Sequence, residues 1–210
     1  MMKKLNLLAL VCALFIMASC EKDEELKLPG EVKDFKFLEA KSYTEWTYFS
    51  FSKGDTVNVT DYQNDLSWDI AFHRGDIRLN GGASGKGKGE AINTGVIVKE
   101  GSEADDWTSV TEAPKDGYSK DEVGKVTIAF TGANIEEEDQ PFSQVASTWI
   151  TIDISNPPPK YTYHHSIYVV KAADGKYVKL WVYDYKNEKN AAGYVSFRYQ
   201  YNESGSSTFN

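Results

Sequence analysis

The sequence contains few of the residues that bind transition metals or act as nucleophiles. Its 210 residues include two cysteines, three methionines and three histidines. Both cysteines and all three methionines lie within the first 20 residues, so the rest of the chain has neither a thiol nor a thioether. This absence excludes a cysteine nucleophile, a disulfide framework, cysteine-bound zinc and methionine-bound iron or copper from the main part of the protein.

Positive charge is also scarce. Lys and Arg number 23 against 31 Asp and Glu, which gives a formal net charge of −8. A nucleic-acid-binding protein would need a basic face, so the composition argues against that class. Hydrophobic residues make up 41% and aromatic residues 13% of the chain, which is enough for a sizeable core. The length allows one large domain or two small ones.

The first 19 residues have the pattern of a signal peptide. Two lysines precede an apolar run over 5–17, which is too short for a stable transmembrane helix. Two small residues then precede Cys20, and this ending resembles a bacterial lipobox, in which the cysteine is lipidated and becomes the mature N-terminus. We therefore expect 1–19 to be a lipoprotein signal peptide and Cys20 to carry the lipid. The alternative is an ordinary signal peptide with an incidental cysteine.

Residues 20–33 are predicted to form an acidic tether. The segment 21–31 is charged, lacks aromatic residues and contains a Pro-Gly pair, as is typical of a solvated linker. The acidic run at 21–25 resembles the export signal of surface lipoproteins in Bacteroidetes. That pattern favours exposure on the cell surface, and a plain solvated linker is the alternative.

From residue 34 onward the pattern favours strands over helices. Short alternating or aromatic-rich runs are separated by Gly, Asn, Asp and Pro, and no run keeps helical periodicity for three turns. We predict a single all-β domain over 34–201 with ten or more short strands, followed by a flexible tail at 202–210. Long irregular connections are expected at 99–124 and 131–147, where function tends to lie.

No catalytic constellation stands out. The glycine-rich segment 82–89 fits G-x-x-x-x-G-K but ends in glycine where a Ser or Thr would hold magnesium, and a β-like segment follows. Asp65, Asp69 and Asp76 are more typical of turns and buried polar contacts than of acid–base catalysis. The acidic run 136–139 lacks the alternating spacing of a calcium loop. We therefore expect a binding protein and no enzyme activity. A structural or adhesin-like surface protein, which would need only the fold and the tether, is the alternative class.

Three histidines are the remaining candidates for metal binding. His73 lies in an apolar run and is interpreted as structural. His164 and His165 are neighbours at the start of a predicted strand, so they point to opposite faces and cannot easily bind one ion together. Tyr161 and Tyr163 share the face of His165, so this set is the richest in donors.

Several segments of the body carry a distinctive pattern. They are WTYFSFSKG at 46–54, VNVTDY at 57–62, NDLSWD at 64–69, HR at 73–74, RLN at 78–80, GKGKG at 85–89, QPFSQV at 140–145, ADGK at 173–176 and DY at 184–185. Together they resemble the HmuY family of haem-binding lipoproteins from Porphyromonas and Bacteroides relatives. The resemblance implies packed antiparallel sheets with a cleft formed by long loops. It also implies haem capture at the outer membrane and handover to a TonB-dependent receptor.

The resemblance further implies where iron ligands would lie. Haem-binding members of the family supply two axial ligands, histidines or methionines, from two long connections. Those positions match Ala133 and Ile154 in this sequence, with Ile135 nearby. None of these side chains can donate to iron, so the family's usual iron ligation is absent from this chain.

Two readings of the cleft therefore stay open. In the first, haem or a related porphyrin is bound through another ligand, with His165, His164, Tyr161 and Tyr163 as candidates. In the second, the fold is kept but iron is not ligated. The cleft would then hold a metal-free tetrapyrrole, another apolar ligand, a glycan or a partner protein.

Overall fold

The computed structural model describes residues 28–131 and 134–210. Within these ranges the chain forms thirteen strands, one short α-helix and two 3₁₀ helices, so the predicted all-β class is confirmed. No helix in the described ranges is long and apolar enough to cross a membrane. The predicted leader at 1–19, Cys20 and the first part of the tether lie outside the described residues.

The larger sheet has five antiparallel strands. They are β1 (Val32–Glu39), β6 (Glu90–Ile97), β11 (Ser166–Lys171), β12 (Tyr177–Lys186) and β13 (Ala192–Tyr201). Their order in the sheet is β1-β13-β12-β11-β6. Gly175, in the turn between β11 and β12, has φ of 88°, a conformation that glycine adopts without strain.

A smaller sheet and two separate hairpins complete the strands. The smaller sheet contains β2 (Thr47–Ser50), β3 (Asp55–Val57), β4 (Ile70–His73) and β5 (Asp76–Leu79), in the order β3-β2-β4-β5. One hairpin pairs β7 (Glu122–Thr131) with β8 (Asn134–Phe142), and the other pairs β9 (Ile150–Asp153) with β10 (Lys160–Tyr163). Each hairpin is a two-stranded sheet of its own.

Aromatic side chains fill the space between the two larger sheets. Phe49 and Phe72 come from the smaller sheet and Phe197 from the larger one, and all three are fully buried. The ring of Phe197 lies 5.2 Å from that of Phe49 and 5.3 Å from that of Phe72. Burying each such side chain favours folding by about 1.5–3 kcal/mol, so this cluster holds the sheets together.

The outer face of the larger sheet is also covered. Helix α1 (Glu103–Ser109) places Trp107 in a second buried cluster with Ile167 and Trp181 of the sheet. Lys179 donates hydrogen bonds from its Nζ to the carbonyl oxygens of Trp107 and Val110 near the end of this helix, and burial lowers the pKa of Lys179 to about 8. The helix therefore lies firmly on the sheet.

Two expectations about irregular segments need correction. The connection predicted at 131–147 contains strand β8, which pairs along its length with β7. The tail predicted as flexible at 202–210 packs on the domain, because Phe209 is only 4% exposed and its backbone N–H donates to the carbonyl of Thr111. The buried Phe209 ring and hydrogen bonds from Gln200 and Asn202 to carbonyls of the tail hold it in place.

Candidate functional site

A cavity of about 200 Å³ lies between the two hairpins, next to the turn that joins β4 to β5. The β7 strand, the β9 strand with the residue after it, and the turn each supply part of its wall. The lining residues are Tyr43, Arg74, Gly75, Asp76, Thr127, Phe130, Ser147, Ile150, Ile152 and Ile154.

One wall of the cavity is aliphatic. Ile150 and Ile152 are alternate residues of β9 and point to the same face, and Ile154 continues the alternation just beyond the strand. Gly75 lies against them so closely that an added Cβ would be 3.0 Å from Cδ1 of Ile152 and 3.1 Å from Cγ2 of Ile150. Trp149 donates its indole N–H to the Gly75 carbonyl at 2.8 Å, which ties the turn to β9.

The opposite end of the cavity is polar. The guanidinium carbon of Arg74 lies 4.0 Å from the ring centre of Tyr43, which is a cation–π contact. Arg74 also donates from Nη1 to the carbonyl of Lys41 and from its backbone N–H to the carbonyl of Ala40. It has φ of 53°, which is uncommon for a residue with a side chain, so tertiary contacts hold this conformation in place.

His73 lies behind the cavity, not in it. It is 1% exposed, its ring stacks on Trp46 with centres 5.1 Å apart, and its Nδ1 is 3.7 Å from Oδ2 of Asp76. Asp76 itself lines the cavity. This burial agrees with the structural interpretation of His73.

Of the two family ligand positions the structure describes Ile154, and it also describes Ile135, which is near the other position in sequence. Ile154 lines the cavity, as the resemblance implies for a ligand position. Ile135 lies on β8 opposite Phe130 and is 50% exposed, outside the cavity lining. Ala133 lies outside the described residues.

The four candidate donors near the second hairpin lie away from this cavity lining. His164 is exposed and its Nε2 lies 2.8 Å from Oγ1 of Thr151. Tyr161 packs on the ring of Tyr185, with centres 5.4 Å apart. The structure therefore brings Ile154 to the cavity and does not bring these two side chains to it.

The other two candidates point along the larger sheet. Tyr163 donates its hydroxyl to Oδ1 of Asp184 at 3.3 Å, and desolvation raises the pKa of Tyr163 to about 12. His165 has φ of 53° and its ring lies 5.9 Å from that of Tyr163 and 6.3 Å from that of Trp181. Neither of them lines the cavity.

Tyr43 is a cavity residue that the sequence did not indicate. It lies between β1 and β2, in a segment without alternation or a recognised motif. Its partner Arg74 is far away in sequence, so only the fold brings the two together. The one available signal was the HR pair at 73–74, which the family resemblance includes without a role.

A second, more polar cleft of about 690 Å³ lies between the smaller sheet and β8. Arg78 is 2% exposed there, and its guanidinium carbon lies 3.9 Å from the Trp46 ring centre and 4.3 Å from that of Tyr62. Its Nε donates to the carbonyl of Pro141 at 2.9 Å and its Nη2 to Oε1 of Gln140 at 3.3 Å. Arg78 therefore connects the end of β8 to the smaller sheet.

The residues considered for catalysis in the sequence make structural contacts. The carboxylate of Asp69 accepts backbone N–H groups of Phe51 and Ala173, and burial raises the pKa of Asp69. In the glycine-rich segment, a Cβ at Gly82 would lie 2.5 Å from the carbonyl oxygen of Asp121, so this backbone packs against the protein itself. Within 28–131 and 134–210, no three His, Cys, Asp or Glu residues cluster in a way that could hold a metal ion.

Comparison with known proteins gives one family and a set of similar structures. The family model described as HmuY protein matches residues 42–199. No curated protein matches the sequence.

Three solved structures illustrate the similarity. One, from Bacteroides vulgatus ATCC 8482 and described as HmuY-like and haem-binding, is 28% identical with a TM-score of 0.61, over 80% of this chain and 90% of that one. The apo HmuY analogue of Tannerella forsythia is 27% identical with a TM-score of 0.62, and the match covers 83% of this chain and 98% of that one. The fold is shared by a lipoprotein from Bacteroides fragilis NCTC 9343, which is 22% identical with a TM-score of 0.63. This match covers 81% of this chain and 89% of that one.

Proposed function

Because this chain belongs to the HmuY family, we propose that it is a surface lipoprotein that binds haem or a related porphyrin. The proposed role is iron or haem acquisition without the family's usual axial ligands. The Bacteroides vulgatus relative with the same fold is described as haem-binding, which supports this class of ligand. The proposal is one of binding and handover, with no catalytic step.

The observation that carries the proposal is the cavity between the hairpins. Ile154 and Phe130 offer apolar surface that suits the flat face of a porphyrin, and Ile150 and Ile152, packed against Gly75, form the apolar floor beside them. Arg74 at the polar end suits a carboxylate, such as a porphyrin propionate. Ile154 also lies where the family resemblance expects contact with the ligand.

The cavity is small for a porphyrin, so the proposed binding requires the two hairpins to move apart. At about 200 Å³ it is smaller than the ~300–1,000 Å³ typical of small-molecule sites. A porphyrin would therefore extend outward between the hairpins. Each hairpin is a two-stranded sheet of its own, so such a movement would break no strand ladder between them.

The proposed location rests on the sequence. The signal peptide at 1–19, lipidation at Cys20 and the acidic tether would anchor the protein in the outer membrane and expose the domain at the cell surface. A TonB-dependent receptor is the proposed recipient of the ligand, as the family resemblance implies. Labelling of intact cells with a protease or an antibody tests the exposure.

The binding test is a titration of the purified protein with ferric haem and with iron-free protoporphyrin IX. Ile154→Glu puts a carboxylate on the apolar wall and should weaken both ligands by roughly tenfold or more, equivalent to about 1.4 kcal/mol. Ile97→Glu is the matched control, because Ile97 lies on β6 away from the cavity and is 53% exposed. Equal affinities for the two variants and the unmutated protein would contradict binding in this cavity.

A second candidate function is binding of an apolar ligand without iron ligation. The aliphatic wall of the cavity favours it, since isoleucine cannot donate to iron. Under this alternative, iron-free protoporphyrin or another apolar ligand binds as tightly as haem. In each oxidation state, ferric and ferrous, the absorption spectrum of the haem matches that of haem without a protein ligand. A shifted Soret band would instead support ligation.

A further inference from the structure

We propose that Tyr43 supplies the iron ligand of this protein and that Arg74 positions it. This inference rests on the proposed function, because it requires a haem in the cavity between the hairpins. It replaces the ligand positions of the family with an oxygen donor on a different segment, between β1 and β2.

The donor chemistry of the cavity leads to Tyr43. Among the lining residues, only Tyr43, Asp76, Thr127 and Ser147 have a side-chain oxygen. Tyrosine is an established protein ligand of haem iron, whereas neutral hydroxyls are weak donors. Ser147 is also engaged, since its Oγ accepts the backbone N–H of Ile77 at 2.9 Å. Asp76 faces His73 at 3.7 Å.

The segment that carries Tyr43 is fixed on both sides. The Oγ of Ser42 accepts the backbone N–H groups of Thr44 and Glu45 at 3.1 and 2.9 Å, which forms a tight local turn. The carbonyls of the two residues before this turn accept hydrogen bonds from Arg74. A ligand on a rigid segment keeps its geometry when the cargo is absent.

Arg74 holds the Tyr43 ring directly. Its guanidinium lies over the ring at 4.0 Å, and its positive φ is maintained although that backbone conformation is unfavourable for arginine. Two hydrogen bonds from Arg74 to the segment between β1 and β2 maintain this conformation. Arg74 is therefore a positioning residue, whose loss should misplace the phenol without removing it.

The chemistry also predicts a dependence on oxidation state. On ligation the Tyr43 phenol would release its proton to solvent water, and the resulting phenolate, a hard anionic oxygen donor, prefers ferric to ferrous iron. Ligation by Tyr43 should therefore give tighter binding of ferric haem than of ferrous haem. It should also give tighter binding of ferric haem than of iron-free protoporphyrin.

Tyr43→Phe is the decisive variant because it keeps the ring and its contact with Arg74 and removes one oxygen. Ferric haem affinity should fall at least tenfold, and the high-spin ferric charge-transfer band typical of a tyrosinate should disappear. Protoporphyrin affinity should change less than twofold. Tyr163→Phe is the matched control, since its hydroxyl bonds Asp184 outside the cavity lining, and it should leave both affinities unchanged.

Two further results separate this inference from the function on which it rests. If Tyr43→Phe leaves ferric haem affinity and spectrum unchanged while both ligands still bind, Tyr43 is not the ligand and the proposed function stands. If the unmutated protein binds neither haem nor protoporphyrin, the proposed function fails and the inference fails with it. Arg74→Gln should broaden or shift the ferric band, which reports the position of the phenol, while the loss of a propionate contact should weaken haem and protoporphyrin alike. An unchanged ferric band would overturn the positioning role of Arg74.

Discussion

The contact between β8 and the smaller sheet depends on Arg78, and its replacement by methionine tests this directly. Methionine keeps much of the length of the side chain and removes the charge and all donors. The guanidinium is buried between Trp46 and Tyr62, and desolvation lowers the pKa of Arg78. Its shortest hydrogen bond, at 2.9 Å, reaches the carbonyl of Pro141 at the end of β8.

The expected magnitude follows from these contacts. The bond from Nε to Pro141 involves a charged donor and contributes about 1.5–3 kcal/mol. The two stacked rings add about 0.5–1 kcal/mol each, and relief of the desolvation of a buried charge offsets part of the sum. We expect Arg78→Met to lower the free energy of unfolding by about 3 kcal/mol. For a domain of this size that corresponds to a fall in Tm of about 6–12 °C.

The assay is thermal and urea unfolding followed by circular dichroism, with Arg198→Met as the matched control. Arg198 makes a bidentate pair with Asp34 in which its side chain is 29% exposed, so its loss should cost at most about 1 kcal/mol. Hydrogen exchange should show faster opening of β7 and β8 in Arg78→Met alone. Equal stability losses in the two variants, or unchanged exchange in the hairpin, would refute the role of Arg78.

Two other predictions concern buried residues. Burial raises the pKa of Asp121 from 3.8 to about 7, so between these pH values the folded protein holds a proton that the unfolded chain has released, and stability should fall as pH rises through this range. Urea unfolding at pH 5 and pH 8 should show a smaller change in the free energy of unfolding for Asp121→Asn than for the unmutated protein. An equal change in the two proteins would contradict the role of Asp121. Phe209→Ala should cost about 3 kcal/mol because the ring is buried, whereas Leu66→Ala, at a side chain that is 59% exposed, should change stability by less than about 0.5 kcal/mol. An unchanged free energy of unfolding in Phe209→Ala would contradict the packing of the tail on the domain.

The sequence predicted most strands of the two main sheets because they are alternating or aromatic-rich runs between turn residues. In β13, Val195, Phe197 and Tyr199 point into the core and recur with period two. Strand β12 is instead buried on both faces along most of its length, and its aromatic and β-branched residues marked it as a strand. In these strands the apolar residues that define the sequence pattern are the residues buried in the structure.

Strand β8 of the first hairpin escaped sequence reasoning for a physical reason. Strand β8 carries the acidic run 136–139 with both faces exposed, so no alternation between polar and apolar residues is needed. Its pairing with β7 uses backbone hydrogen bonds, which any sequence can make. Helix α1 was missed because its seven residues are too few for a helical period to be recognised.

The candidate site could be predicted only in part. The family resemblance placed Ile154 at the ligand, and the structure places it on the cavity wall. Tyr43 and Arg74 form the polar end through a contact that joins two distant segments. A pairing of this kind depends on how the sheets pack, so neither local pattern nor spacing reveals it.

The most direct test of the central claim is a crystal structure of the protein with ferric haem. We expect electron density for the macrocycle between the two hairpins, with Ile154 against its face and the Tyr43 hydroxyl directed at the iron. Density in the polar cleft beside Trp46 and Tyr62, or at the protein surface outside the hairpins, would contradict the assignment of the binding site.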